Sequence, residues 1–190
     1  MPRIELIAGK DQLESERHAE VDEIVGVLGH VPAPFGVLLY SPGLAEHVCK
    51  TGAHVRLQSE LTMAERELAL LSVVRDKDAA SEWAWHAPIA RKAGVSPEAM
   101  DAIRDASDPS ALKAEERDII VYARELMRTN RVSQPSFDAL KLRHGVRWLV
   151  ELTATIGQYL YISAINNAFE TAGELKADAE RLPIPAPGNR

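Results

Sequence analysis

Residues 62–94 read TMAERELALLSVVRDKDAASEWAWHAPIARKAG, and the punctuation of this stretch decides the fold. Thr62-Met63-Ala64-Glu65 is a capping box, in which the threonine hydroxyl and the glutamate carboxylate satisfy the first free backbone N–H groups of a helix. Leu68, Leu70, Leu71, Val73 and Val74 then set an apolar face, predicting a helix to about Arg75. Asp76-Lys77-Asp78 breaks it. A second helix is predicted from about Ala79 to Ala93, where Gly94 offers a left-handed cap.

The same grammar extends in both directions. Asp11 to about Leu28 reads as an amphipathic helix ended by Gly29 and by a loop at Val31-Pro32-Ala33-Pro34. Ser41-Pro42 is an N-cap with proline in the first turn, opening a helix to about Ser59. Ser96-Pro97 opens a short helix, residues 114–129 a longer one, Ser133 another short one, and residues 146–170 the last long one. No run alternates β-branched and polar residues between hairpin turns, so the fold class is all-α. The expected organisation is one helical domain over residues 1–181, with an N-terminal helical extension over about residues 1–40. The proline-rich residues 182–190 are expected to be extended or disordered.

Two echoes interrupt this plain pattern. Leu61–Glu67 resembles Leu112–Asp118, and Val95–Ile103 resembles Val132–Leu140, at offsets of 51 and 37 residues. Either an old duplication or the shared physics of helix starts produces them.

Composition narrows the function classes. Of 190 residues 46% are apolar and 26% charged, with a net charge of −6, which does not suit a phosphate backbone, so no nucleic acid partner is expected. A single cysteine, Cys49, excludes an internal disulfide, a CxxC redox pair and a multi-thiolate metal site. The N-terminal residues lack the apolar core of a signal peptide, so the expected address is the cytoplasm. Leu152–Phe169 carries no formal charge over eighteen residues, but its Thr, Gln, Ser and Asn content reads as a buried helix rather than a membrane span. No Walker loop, GxGxxG or GxSxG occurs.

Candidate chemistry lies where polar groups interrupt apolar faces. Glu67 points within about 20° of the middle of its helix's apolar face, where a carboxylate must be paired or protonated. Its echo, Asp118, falls more than about 100° from its own apolar face and is expected to be solvated. Glu82 and His86 are i, i+4 neighbours among Ala79, Ile89, Ala90 and Ala93. Contact between them would orient an imidazole for proton transfer, and the small neighbours leave room for a ligand. Pro88 should free the Ala84 carbonyl or kink the helix. On the last helix Glu151, Thr155, Gln158 and Asn166 fall within a sector of about 80°, either lining a pocket or bonding between helices. Trp83 is taken as pocket wall and Arg75 as a partner for a substrate carboxylate. His47 and His54 share a face near Cys49 but lack a third ligand, so no metal is expected.

Glu65-Arg66-Glu67-Leu68-Ala69-Leu70-Leu71, followed by Ser81-Glu82-Trp83-Ala84-Trp85-His86-Ala87-Pro88-Ile89-Ala90-Arg91-Lys92-Ala93-Gly94-Val95-Ser96, resembles the carboxymuconolactone decarboxylase family of the alkyl hydroperoxidase D-like superfamily. Val31–Phe35, Ser41–Ala45 and Asn167–Phe169 extend the resemblance over residues 29–169. It implies an antiparallel helical bundle that assembles into a homo-oligomer, from dimer to hexamer. It also implies a lyase without a cofactor, acting on a small organic acid or lactone. Aligned on its peroxidase branch, His86 and Glu67 match the relay residues, while the two thiol positions hold Ala79 and Glu82, so a dithiol cycle cannot run. The last helix reads Tyr159-Leu160-Tyr161-Ile162-Ser163-Ala164 where lactone decarboxylases carry a Tyr-x-Gly-x-Pro-like stretch. The expected site is therefore catalytic Glu67, Glu82 and His86, with Trp83, Arg75, Glu151, Gln158 and Asn166 binding substrate. The alternatives are a peroxidase working through Cys49 and a non-catalytic oligomeric binding protein.

Overall fold

The computed structural model describes residues 1–171 and 179–182. Within them the regular elements are helices: α1 (His18–Leu28), α2 (Ala33–Leu38), α3 (Pro42–Leu57), α4 (Met63–Asp76), α5 (Ala80–Ala93), α6 (Pro97–Arg104), α7 (Ala114–Thr129), α8 (Gln134–His144) and α9 (Val146–Phe169). No strand occurs among the described residues, as the sequence pattern requires. No helix among them is long and apolar enough to cross a membrane.

The capping chemistry forms as read except at Ser41, which holds the N-cap position of α3 without a side-chain bond to it. Thr62 accepts from the Glu65 N–H while the Glu65 carboxylate receives the Thr62 N–H, at 3.2 and 2.7 Å. Gly29 and Gly94 close α1 and α5 at φ +79° and +93°, values that side chains rarely tolerate. Ser96 and Ser133 cap α6 and α8, and each is gripped by a carboxylate of α7, Glu116 for Ser96 and Glu125 for Ser133.

Three expectations need correction at the N-terminal side and on α7. The helix predicted from Asp11 begins only at His18, after two 3₁₀ turns at Lys10–Gln12 and Ser15–Arg17. Between them Leu13 is extended (φ −131°) and packs on the N-terminal core, while Gln12 turns back to bond the Ala8 N–H at 2.7 Å. Second, the proline-rich loop hides α2: Pro32 is its N-cap and Pro34 sits in its first turn, where a missing N–H costs nothing. Third, Asp118 is not solvated; Arg117 and Arg143 cover it at 2.8 and 2.7 Å.

Two cores result. The larger gathers α4–α9 around Leu70, Leu71, Trp83, Ile120 and Ile156, with α4 packed on α5, α7 and α9. The smaller joins Ile7, α1, α2 and α3 to Ile162 of α9. The segment before α1 crosses α2 so closely that a Cβ on Gly36 would lie 2.9 Å from the Ile7 carbonyl. It is also tied to the end of α9 by the Arg3 N–H on the Phe169 carbonyl at 2.9 Å. Leu182 is buried in the larger core; the rest of the expected tail, residues 183–190, lies outside the described residues. The seam between the two cores is where the candidate site lies.

Candidate active site

Between the two cores opens a cavity of about 870 Å³. The end of α1 and residues Pro32 to Phe35 form one wall, Gly52 and Arg56 of α3 a second, Glu82, Trp85 and His86 of α5 a third, and Gln158, Tyr159, Ile162 and Asn166 of α9 the floor. Its location follows from sequence: α3 and α9 meet at small or polar residues there, and α5 contributes few large apolar ones.

His86 is 8% exposed and held from both sides. Its Nδ1 lies 2.9 Å from Glu67 Oε2, and its Nε2 lies 3.7 Å from Glu82 Oε2. The first is a hydrogen bond between α5 and α4. The second exceeds one, which leaves Nε2 accessible to a water or a substrate atom that also reaches Glu82. Tyr159 packs edge-on against the imidazole with ring centroids 5.4 Å apart. Burial pushes the Tyr159 phenol well above its ordinary value, so it remains protonated.

Each carboxylate has its own support. Glu67 is 1% exposed, and its other oxygen faces Nε and Nη2 of Arg66 at 3.4 Å. Arg66 is in turn fixed by a 2.7 Å bond from Nη1 to the Arg56 carbonyl. Glu82 Oε1 receives the Asn166 amide at 2.8 Å, and Asn166 Oδ1 accepts from the Thr171 hydroxyl. A chain Thr171–Asn166–Glu82 on one side and Arg66–Glu67 on the other therefore frames one imidazole. Such an arrangement can accept a proton at Nε2 while Glu67 holds the opposite ring N–H in place.

The expected trio Glu67, Glu82 and His86 is brought together, and Gln158 and Asn166 line the same cavity. Three expected binding residues stand elsewhere. Trp83 is fully buried in the larger core, and the 63%-exposed Trp85 takes the cavity wall instead, beside His30 at 6.2 Å between rings. Arg75 points away, bonding Asp78 at 2.7 Å and the Arg104 carbonyl at 2.6 Å. Glu151 lies at the far end of the α9 stripe, accepting the Glu60 N–H at 2.6 Å and facing Arg147 at 3.2 Å. The stripe thus does both things expected of it: its C-terminal half lines the cavity and its N-terminal half bonds between helices.

Cys49 and the histidine pair also have settled places. Cys49 is fully buried in the smaller core, and burial pushes its thiol up. His47 contacts the Gly43 carbonyl within its own helix, while His54 faces Gln58 and Glu151. Pro88 stays inside α5 and lines the cavity.

Arg56 was missed by the sequence reading. It lines the cavity from α3, and its Nη2 is buried without a hydrogen-bond partner among the described residues. A signal existed: Arg56 follows Cys49 by seven residues and Gly52 by four, which puts a cation on the helix's buried face. No family model matches the chain, and no curated protein matches it.

Proposed function

We propose that the protein is a cofactor-independent lyase of the carboxymuconolactone decarboxylase type, acting in the cytoplasm on a small organic acid or lactone. The observation that carries this reading is His86, bonded to Glu67 at Nδ1 and open at Nε2 toward Glu82, in the wall of a cavity large enough for a small molecule. The family and its homo-oligomeric assembly rest on the Glu65–Leu71 and Ser81–Ser96 resemblance. Exposed Leu142, Val146 and Val150 on α8 and α9 are in keeping with self-association.

In this reading the substrate carboxylate is drawn out of water into a mostly apolar space, where its charged form is disfavoured. The C–C bond to it breaks and CO₂ leaves. The electron pair passes into the conjugated lactone carbonyl, and the resulting dienolate takes a proton at carbon from the His86 Nε2 side. Glu67 stabilises the ring while its charge changes, and Glu82, set by Asn166, hands on the proton. Cys49 gives no support to the peroxidase alternative, being buried and protonated away from the cavity.

The test is turnover of a panel of γ-lactone acids, followed by CO₂ release. His86→Ala should lower it by about 10²–10⁴-fold. Because that change also strips Glu67 of a partner, His86→Gln serves beside it: the amide can still donate to Glu67 but cannot exchange a proton. Turnover that survives in His86→Gln sinks the reading.

A further inference from the structure

The cavity carries a charge that the proton chemistry leaves unused. Its other ionic groups are engaged: Glu82 with Asn166 and His86, and Arg91 with Glu180. Arg56 is the exception among them, since its Nη2 is shut off from solvent and meets no acceptor among the described residues. A buried guanidinium nitrogen without an acceptor is uncommon, because those protons give up water and gain nothing. A Cβ on Gly52 would lie 3.6 Å from that nitrogen and 3.1 Å from Gln158 Nε2, so glycine lets both side chains lie close against α3. Gln158 does not serve as the missing partner: its amide nitrogen donates to the Val48 carbonyl at 3.2 Å, and no bond joins its side chain to Arg56 Nη2. Arg66 does not compete for the same space, being held by Glu67 and by the Arg56 carbonyl. Tyr159 lines the same cavity and packs edge-on against His86.

We propose that Arg56 is the specificity-determining residue of the cavity, docking a carboxylate of the ligand on its guanidinium while the ligand's reacting carbon faces His86. This rests on the reading of the cavity as the active site. A carboxylate paired with a guanidinium is stabilised as the anion, so the group on Arg56 is held through the reaction and not consumed. The role sought in Arg75 thus falls to a residue on another helix.

The test compares binding of two probes by calorimetry: (5-oxotetrahydrofuran-2-yl)acetate, whose carboxylate stands off the ring carbon, and its neutral acetamide. The wild-type protein should bind the acid about tenfold more tightly than the amide, the scale of one charge-assisted hydrogen bond. Arg56→Gln should erase that ratio with amide binding retained, and Arg56→Lys should keep part of it. His86→Ala should leave the ratio as it is, which separates this proposal from the catalytic one. Turnover insensitive to His86 with the acid preference intact overturns only the chemistry. Equal affinities in the wild type, no binding of either probe, or a ratio unchanged in Arg56→Gln overturns the role of Arg56.

Discussion

Glu67 and Glu151 are both buried carboxylates, 1% and 7% exposed, yet they are surrounded for different ends. Glu151 accepts a backbone N–H and faces Arg147 and His54. The Glu60 N–H above all, with Arg147 beside it, holds its carboxyl below the ordinary glutamate range. It is a fixed anion that pins the α3–α4 turn to α9. Glu67 has no backbone donor among the described residues; it shares its two oxygens between a cation and an imidazole that borders a cavity. Burial alone therefore does not mark a site. What distinguishes Glu67 is that its imidazole partner, unlike His54 beside Glu151, lines the cavity.

The sharpest way to break this comparison is to remove each charge in turn. Glu67→Gln should lower turnover of the γ-lactone acids by about 10²-fold, because the imidazole loses the anion that steadies its charged form. It should also cost stability, since Arg66 is left buried without its counter-charge. Glu151→Gln should leave turnover within about twofold while lowering unfolding free energy by about 1.5–3 kcal/mol, the range of hydrogen bonds to a charged group. Equal losses of turnover in the two variants would erase the distinction.

The Glu151 effect also carries a pH signature. Its folded pKa lies below its unfolded one, so its stabilisation is fully present above the unfolded value of about 4.3. It is lost as pH falls through the folded value. Urea denaturation should accordingly show wild type and Glu151→Gln far apart at neutral pH and converging in acid. A gap that widens on acidification would mean that the carboxyl is stabilised in its protonated form.

The reach of the sequence follows the range of the interactions. Local rules set the α4–α5 hairpin: the Thr62 box, the Asp76-Lys77-Asp78 break and Gly94 act within a few residues, and the structure follows them. The same rules bring Glu67, Glu82 and His86 toward one seam, since a misplaced carboxylate on α4 and an i, i+4 pair on α5 face each other across a three-residue turn. Arg56 and Arg75 show where such reasoning stops. Which arginine meets a cavity depends on how α3 packs on α9 and how α6 crosses the end of α4, contacts made between residues far apart in the chain. Trp83 and Trp85 illustrate the same limit: both flank His86, and only packing decides which one turns inward.

The mildest change tests that last point directly. Arg75 joins the end of α4 to the Arg104 carbonyl of α6 and to Asp78, a partly shielded contact whose loss in Arg75→Gln should cost about 1 kcal/mol. It stands outside the cavity wall, so KM for a γ-lactone acid should not move. Arg56→Gln reverses the pattern, raising KM with the fold intact. A rise in KM for Arg75→Gln matching that of Arg56→Gln would mean that substrate binds at the α4–α6 end. The imidazole, its two carboxylates and the Arg56 guanidinium would then be a polar seam between two cores rather than a place where chemistry occurs.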